Sequence, residues 1–246
     1  MPPTVHLIRH AEGTHNLSAA NYSIHDPGLT ARGEQQARDL AARITELQAD
    51  GGADIDLVLA SPLRRTLTTA LAGFAPQLAR KRPAAIYAWP DVQEVSALPC
   101  DCGSALAAVQ KEFGRELVNY DIVENGWELK QGKYANTEPA VTARAQAARE
   151  WLRKQPHKDI AVFSHGCLLH FLTDDWEGTD SPQGTSWDKT ELRSFTFSSE
   201  EKDDAVLVET LKSRERRGSA PALTGQEQKR LRKATMRLWT EWGILE

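Results

Sequence analysis

The segment Val5-His6-Leu7-Ile8-Arg9-His10-Ala11-Glu12-Gly13-Thr14-His15-Asn16 turns abruptly from apolar to polar. Val5 to Ile8 is a short run with β-branched residues, the length of a buried strand and too short for a helix. From Arg9 onward the segment carries an Arg, two His, a Glu and an Asn. In open α/β sheets, sites lie beyond the carboxyl ends of the strands. The same change of character recurs twice. Asp56 to Ala60 (DLVLA) runs into Ser61-Pro62-Leu63-Arg64-Arg65-Thr66, and Asp159 to Phe163 (DIAVF) runs into Ser164-His165-Gly166.

Between these strands the pattern is helical. Thr30 is a natural N-cap for a helix in which Ala37, Leu40, Ala41, Ile44 and Leu47 recur, with Gly51-Gly52 to stop it. Further helices are expected from Leu63 to about Phe74, Ser104 to Glu116, Glu138 to Lys154, Cys167 to Thr173 and Thr224 to Trp242. Ala85 to Trp89 reads as a weaker strand, followed by a loop from Pro90 to Gly103. A polar loop from Asp174 to Lys189 leads to two alternating strands, Arg193 to Phe197 and Ala205 to Glu209. Strands alternating with helices predict a three-layer α/β/α sandwich around a mixed, mainly parallel sheet.

Composition fits this reading and excludes others. The chain has 246 residues, 40% hydrophobic and 26% charged, an ordinary globular mixture. Three cysteines (Cys100, Cys102 and Cys167) cannot all pair, so a disulfide scaffold is excluded, and they suit a reducing, cytoplasmic setting. Met1-Pro2-Pro3-Thr4 enters a strand at once, so no secretory signal is expected. No apolar run is long enough to span a membrane. Seven Trp argue against disorder. The net charge of −4 is unevenly spread: from Leu211 onward nine basic residues face four acidic ones. The body is therefore acidic, and an anion must be captured by local geometry rather than by the overall field. Neither nucleic acid nor membrane is an expected partner.

Residues 1–210 are read as the catalytic unit and 211–246 as an extension. That extension is a basic, flexible linker (Lys212 to Pro221) and a last helix packed on the body. Leu231, Ala234, Leu238 and Trp242 form one stripe on that helix, taken as its docking face, with a homodimer contact as the alternative.

The three strand ends suit one chemistry. Arginine offers a rigid fork of donors matched to phosphate oxygens. A neutral imidazole is a competent nucleophile near pH 7, and neighbouring guanidinium groups favour the neutral form. Two Arg, two His and an Asn therefore fit phosphoryl transfer through a phosphohistidine.

Arg9-His10 with Asn16, Ser61-x-Leu63-x-Arg65 and Ser164-His165-Gly166, in this order, resemble the histidine phosphatase superfamily, the phosphoglycerate-mutase-like proteins. Asp26-x-x-Leu29-Thr30-x-x-Gly33-x-x-Gln36-Ala37 and Glu94 with Pro99-Cys100-Asp101 extend the likeness to about Glu209, and resemble a plant and fungal branch. The resemblance implies that His10 is the phosphorylated nucleophile. Arg9, Arg65 and His165 would surround the phosphoryl group, with Asn16, His15 and Gly166 contributing to phosphate or substrate binding. Glu94 would be the general acid, then the base. No metal and no cofactor are implied. Departures from the common pattern are Ala11 in place of Gly, Gly13 in place of Ser or Thr, and His15 in place of Trp.

The expected function is metal-independent hydrolysis of a small phosphorylated metabolite. No Lys or Arg occurs between Arg82 and Lys111, so the second phosphate site of a mutase is poorly supplied. The alternatives are a phosphoglycerate-type mutase and a non-catalytic module that binds phospholigands. Other features read as structural. Cys100-x-Cys102 is too small a set for zinc. Asp101 braces the acid loop, His6 faces away from the site, and His25, His157 and His170 are surface or packing residues. Trp176 and Trp187 flank the 174–189 loop as a lid or substrate wall, or as plain packing.

Overall fold

The computed structural model describes residues 1–49, 52–179, 185–199, 205–219 and 221–246. Seven strands form one sheet: β1 (Thr4–Arg9), β2 (Ile55–Ala60), β3 (Ile86–Ala88), β4 (Val118–Asn119), β5 (Asp159–Ser164), β6 (Leu192–Phe197) and β7 (Leu207–Glu209). Their spatial order is β4-β3-β2-β5-β1-β6-β7. Pairings from β4 to β1 are parallel, while β6 pairs antiparallel to β1 and to β7. The expected mixed, mainly parallel sheet is present. The two-residue β4 was not anticipated from the sequence.

Eight α-helices accompany the sheet among the described residues: α1 (Ala31–Gln48), α2 (Arg64–Gly73), α3 (Ala75–Ala79), α4 (Leu106–Phe113), α5 (Glu138–Arg153), α6 (Gly166–Thr173), α7 (Leu211–Arg217) and α8 (Gly225–Glu241). Thr30 caps α1 by accepting from Gly33 N, as its sequence position implied. Gly51, half of the expected stop, lies outside the described residues. No described helix is long and apolar enough to cross a membrane.

Alternation along the central strands builds two cores, one on each face. Val5 and Leu7 of β1, Leu57 and Leu59 of β2, and Ile160 and Val162 of β5 pack toward α5, α6 and α8. Ile8, Val58, Ala60, Ala161 and Phe163 pack toward α1 and α2. Both faces of the parallel strands are thus covered, which completes the three layers.

Two expectations about the C-terminal region are corrected. The basic segment after Lys212 is not a flexible linker through Arg217: it is α7, capped by Thr210. Its arginines are held by acids. Arg217 reaches Glu209 at 2.8 Å and Glu177 at 3.1 Å, and Ser213 Oγ donates to Glu209 at 2.7 Å. Gly218, with φ +69°, ends the helix. The docking face of α8 is also displaced. Thr235, Met236 and Trp239 are buried, whereas Ala234 and Trp242 are exposed. Trp239 stands 6.0 Å from Trp176 and 6.3 Å from His170, ring to ring. Trp176 and Trp187 are both fully buried, so packing is their role; residues 180–184 of their loop lie outside the described residues.

Candidate active site

Strand order places the motifs. β3, β2, β5 and β1 are consecutive neighbours, and all run the same way. Their carboxyl ends deliver the Glu94 loop, the Ser61 to Arg65 turn, Ser164-His165 and Arg9-His10 to one edge. Backbone bonds carry the ladder past the strand ends: His10 N donates to Ser164 O at 3.0 Å, Ser61 N to Phe163 O at 3.0 Å, and Trp89 N to Ala60 O at 2.7 Å.

His10 is 2% exposed. Its Nδ1 lies 2.6 Å from the Ala11 carbonyl oxygen, which can only accept, so the proton sits on Nδ1. Nε2 is left with its lone pair, and Arg65 Nε donates to it at 3.3 Å. Burial, then Arg65 and Lys189, hold the imidazole well below its ordinary range. The ring is therefore held neutral, with the Nε2 lone pair directed at Arg65.

Arg65 has no exposed surface. It donates to Cys100 O at 2.6 Å, to Asp101 Oδ1 at 2.8 Å and to His165 Nδ1 at 3.2 Å. Asp101 also accepts from Ser96 Oγ at 2.6 Å, so it braces the acid loop as expected and anchors Arg65 besides. His165 lies 5.0 Å from His10, ring to ring. Its Nδ1 accepts from Arg65, so its Nε2 donates to Ser61 Oγ at 2.8 Å. Ser61 thus orients His165, which explains the serine of the second motif.

Arg9 donates to Trp187 O, while its buried Nε has no partner among the described residues. A Cβ on Gly166 would lie 3.2 Å from the Arg9 guanidinium carbon, so glycine admits this cation beside the amino end of α6. Gly166 therefore shapes the pocket through Arg9. His15 packs 5.6 Å from His10, and Asn16 Nδ2 donates to its Nε2 at 3.0 Å. Burial, then Arg65 and Lys189, push His15 down to about 2. A Cβ on Gly13 would meet His15 Nδ1 at 2.7 Å. The two departures from the common motif are thus one adjustment, since a bare position 13 makes room for the ring of residue 15.

Glu94 is 8% exposed and faces the same pocket. Oε1 accepts from Val95 N at 2.9 Å and Leu168 N at 3.0 Å, and Oε2 from Cys167 N at 3.2 Å. Burial, then Asp101, raises its pKa, against the pull of these N–H groups and Arg65.

The eight candidate site residues come together here. Arg9, His10, His15, Asn16, Glu94 and Gly166 line one pocket of about 320 Å³, while Arg65 and His165 are fully buried against His10. His6 instead bonds Ser194 and Asp159 at the opposite end of the sheet. Two lysines escaped sequence reasoning. Lys130 Nζ donates to Glu94 O at 2.7 Å from behind the acid loop. Lys189 shares the field of Arg9 and Arg65 and is pushed down to about 6, by burial first and then by those two cations. The C-terminal Trp242 and Ile244 also line the pocket. Only the Gly243 after α8, a helix-stop signal, hinted that the chain turns there.

The chain belongs to the histidine phosphatase superfamily, branch 1, whose family model matches residues 5–209. This places it among the phosphatase enzymes. Among particular relatives, it is 28% identical over 172 residues to a Schizosaccharomyces pombe protein named Probable phosphatase, covering 66% of this chain and 74% of that one. It is 27% identical over 202 residues to Phosphoglycerate mutase-like protein 1 of Arabidopsis thaliana, covering 69% and 70%. The fold is shared with the ecdysone phosphate phosphatase of Bombix mori, at TM-score 0.54 and 15% identity over 79% of this chain and 89% of that one. It is shared too with the alpha-ribazole phosphatase of Shigella flexneri, at TM-score 0.51 and 21% identity over 84% and 94%.

Proposed function

We propose that the protein is a metal-independent phosphatase that hydrolyses a small phosphorylated metabolite through a phosphohistidine on His10. The observation that carries this is the pairing of His10: Nδ1 is tied to the Ala11 carbonyl and Nε2 points its lone pair at the Arg65 guanidinium. The unpartnered Arg9 Nε supplies a second donor for phosphoryl oxygens. In the first step Nε2 attacks phosphorus and the P–O ester bond breaks. Glu94 gives its proton to the departing alkoxide, and Arg9 and Arg65 balance charge on the equatorial oxygens. In the second, the Glu94 carboxylate takes a proton from water, the water oxygen bonds phosphorus and the P–N bond breaks. Inorganic phosphate leaves and Glu94 is protonated again.

Residues 1–210 carry this chemistry in the proposal, and 211–246 close the pocket. The three free cysteines suit a reducing, cytoplasmic setting. A mutase would need a second phosphate site. Among the described lining residues Arg9 is the single cation, beside Glu94 and Asp101, and Lys130 is turned to a backbone carbonyl. Hydrolysis is the reading these charges favour.

The test is a rapid alkaline quench of the enzyme mixed with a phosphate-labelled ester. Label is expected on the wild-type protein, and His10→Ala should abolish both label and phosphate release while keeping its circular dichroism. Turnover retained by His10→Ala would exclude the mechanism.

A further inference from the structure

The floor and the mouth of the pocket differ in chemistry. The floor is polar and carries the phosphoryl-binding groups. Toward solvent the pocket's more exposed lining is Tyr22, Leu98, Trp242 and Ile244, from three separate parts of the chain, beside the amide of Asn16. Tyr22 stands in a 3-10 turn, Ala19–Ser23. Trp242 and Ile244 come from beyond residue 209, where the family match stops.

The tail is fixed there by its backbone. After α8, Trp242 N bonds Leu238 O at 2.9 Å, and Gly243 adopts φ +68°, a left-handed turn open to glycine without strain. The chain reverses, and Ile244 N donates to Trp239 O at 2.8 Å. Leu245 is 3% exposed in the core, and Glu246 N donates to Asn136 O at 3.1 Å. With both sides fastened, Trp242 remains 44% exposed, a large apolar ring left uncovered at a pocket rim. Packing on its own fold does not account for it, since the neighbouring Trp239 and Leu245 perform that task. A second anionic group at this mouth would meet uncharged side chains, with the carboxylates of Glu94 and Asp101 below.

We infer that Trp242 and Ile244 are specificity-determining residues, and that with Tyr22 and Leu98 they receive the leaving group of a phosphomonoester whose alcohol is uncharged and apolar. The catalytic step rests on the phosphatase reading above; the receiving surface does not. Burying such a group removes both its surface and the Trp242 ring from water, which favours binding without any polar contact.

Phosphonates separate the two claims because they cannot be hydrolysed. Calorimetry would compare benzylphosphonate with methylphosphonate on the wild type, Trp242→Ala and Trp242→Phe. The wild type should bind the benzyl compound at least about tenfold more tightly, and Trp242→Ala should shrink that ratio about fivefold or more. Trp242→Phe should keep most of it, with thermal midpoints verifying that each variant is folded. An unchanged ratio in Trp242→Ala, or no benzyl preference in the wild type, would overturn the inference. Hydrolysis of benzyl phosphate and glycerol phosphate by the wild type is measured alongside. No release from either ester counts against the phosphatase reading, while the phosphonate ratio still decides the receiving surface.

Discussion

Glu94 is subject to opposed demands. Burial and Asp101 favour its protonated form, while three backbone N–H groups and Arg65 favour its charge. The net direction is upward, the direction the proposed general-acid role requires. Glu94→Gln should therefore lower kcat/KM for alkyl phosphates by about 10²-fold or more. p-Nitrophenyl phosphate, whose leaving group needs no proton, should lose far less. Equal losses for both would contradict the acid role. At this scale the sequence was readable wherever a residue followed a strand. Arg9, His10 and His165 stood out on that ground alone, whereas Arg65 was separated from the adjacent Arg64 only by the family motif Ser61-x-Leu63-x-Arg65. Lys189 was not readable, because a lysine in a polar loop looks like any surface lysine until the fold buries it near Arg9 and Arg65. The coupling of Gly13 to His15 was also hidden, since neither departure implies the other until the 2.7 Å approach is seen.

Among elements, the strands and long helices followed from periodicity, and the errors have physical causes. β4 has two residues, too few to show a period. On α8, both Leu231-Ala234-Leu238-Trp242 and Thr235-Met236-Trp239 satisfy helical spacing, so the period does not set the phase. Trp239 wins because His170, Phe171 and Trp176 offer an aromatic seat. The α7 segment read as a basic, flexible linker because its partners lie on other elements. Glu209 of β7 accepts from Ser213 and from Arg217, and its side chain is 2% exposed. Removing that carboxylate leaves two arginines, Arg214 and Arg217, short of charge compensation in a partly buried place. Glu209→Ala should cost about 2–4 kcal/mol of stability, seen as a lower urea midpoint with an unchanged slope. A midpoint equal to the wild type would show the network to be idle.

For the whole molecule, the seven histidines are the notable charge reservoir. Burial holds His10 and His165 well below their ordinary range, His15 down to about 2 and His170 down to about 4. Each is neutral in the fold and takes a proton on unfolding near the ordinary value of about 6.5. The unfolded chain therefore binds more protons below that pH. Stability should be full above about 6.5 and fall as pH drops toward 4, where Asp159 and Asp175, both held below the usual carboxylate range, extend the loss. For Asp159 the hydrogen bonds from His6 and Asp54 N outweigh burial; for Asp175, those from Gln228 and Glu177 N do so. Scanning calorimetry across pH 4–8 checks this, and a constant midpoint from about 6.5 to 4.5 would refute it.

The grouping of His10, Arg65 and His165 has a consequence in time. His10 meets Arg65 across 55 residues of chain, and Arg65 meets His165 across 100. Contacts at such separations form only after the loop-closure entropy has been overcome, whereas the helices between them can form locally. A nascent or partly melted chain can thus hold much of its helix and still lack the candidate site. Catalysis in this protein is a readout of completed folding, and a population of damaged molecules will lose activity in whole units rather than by degrees.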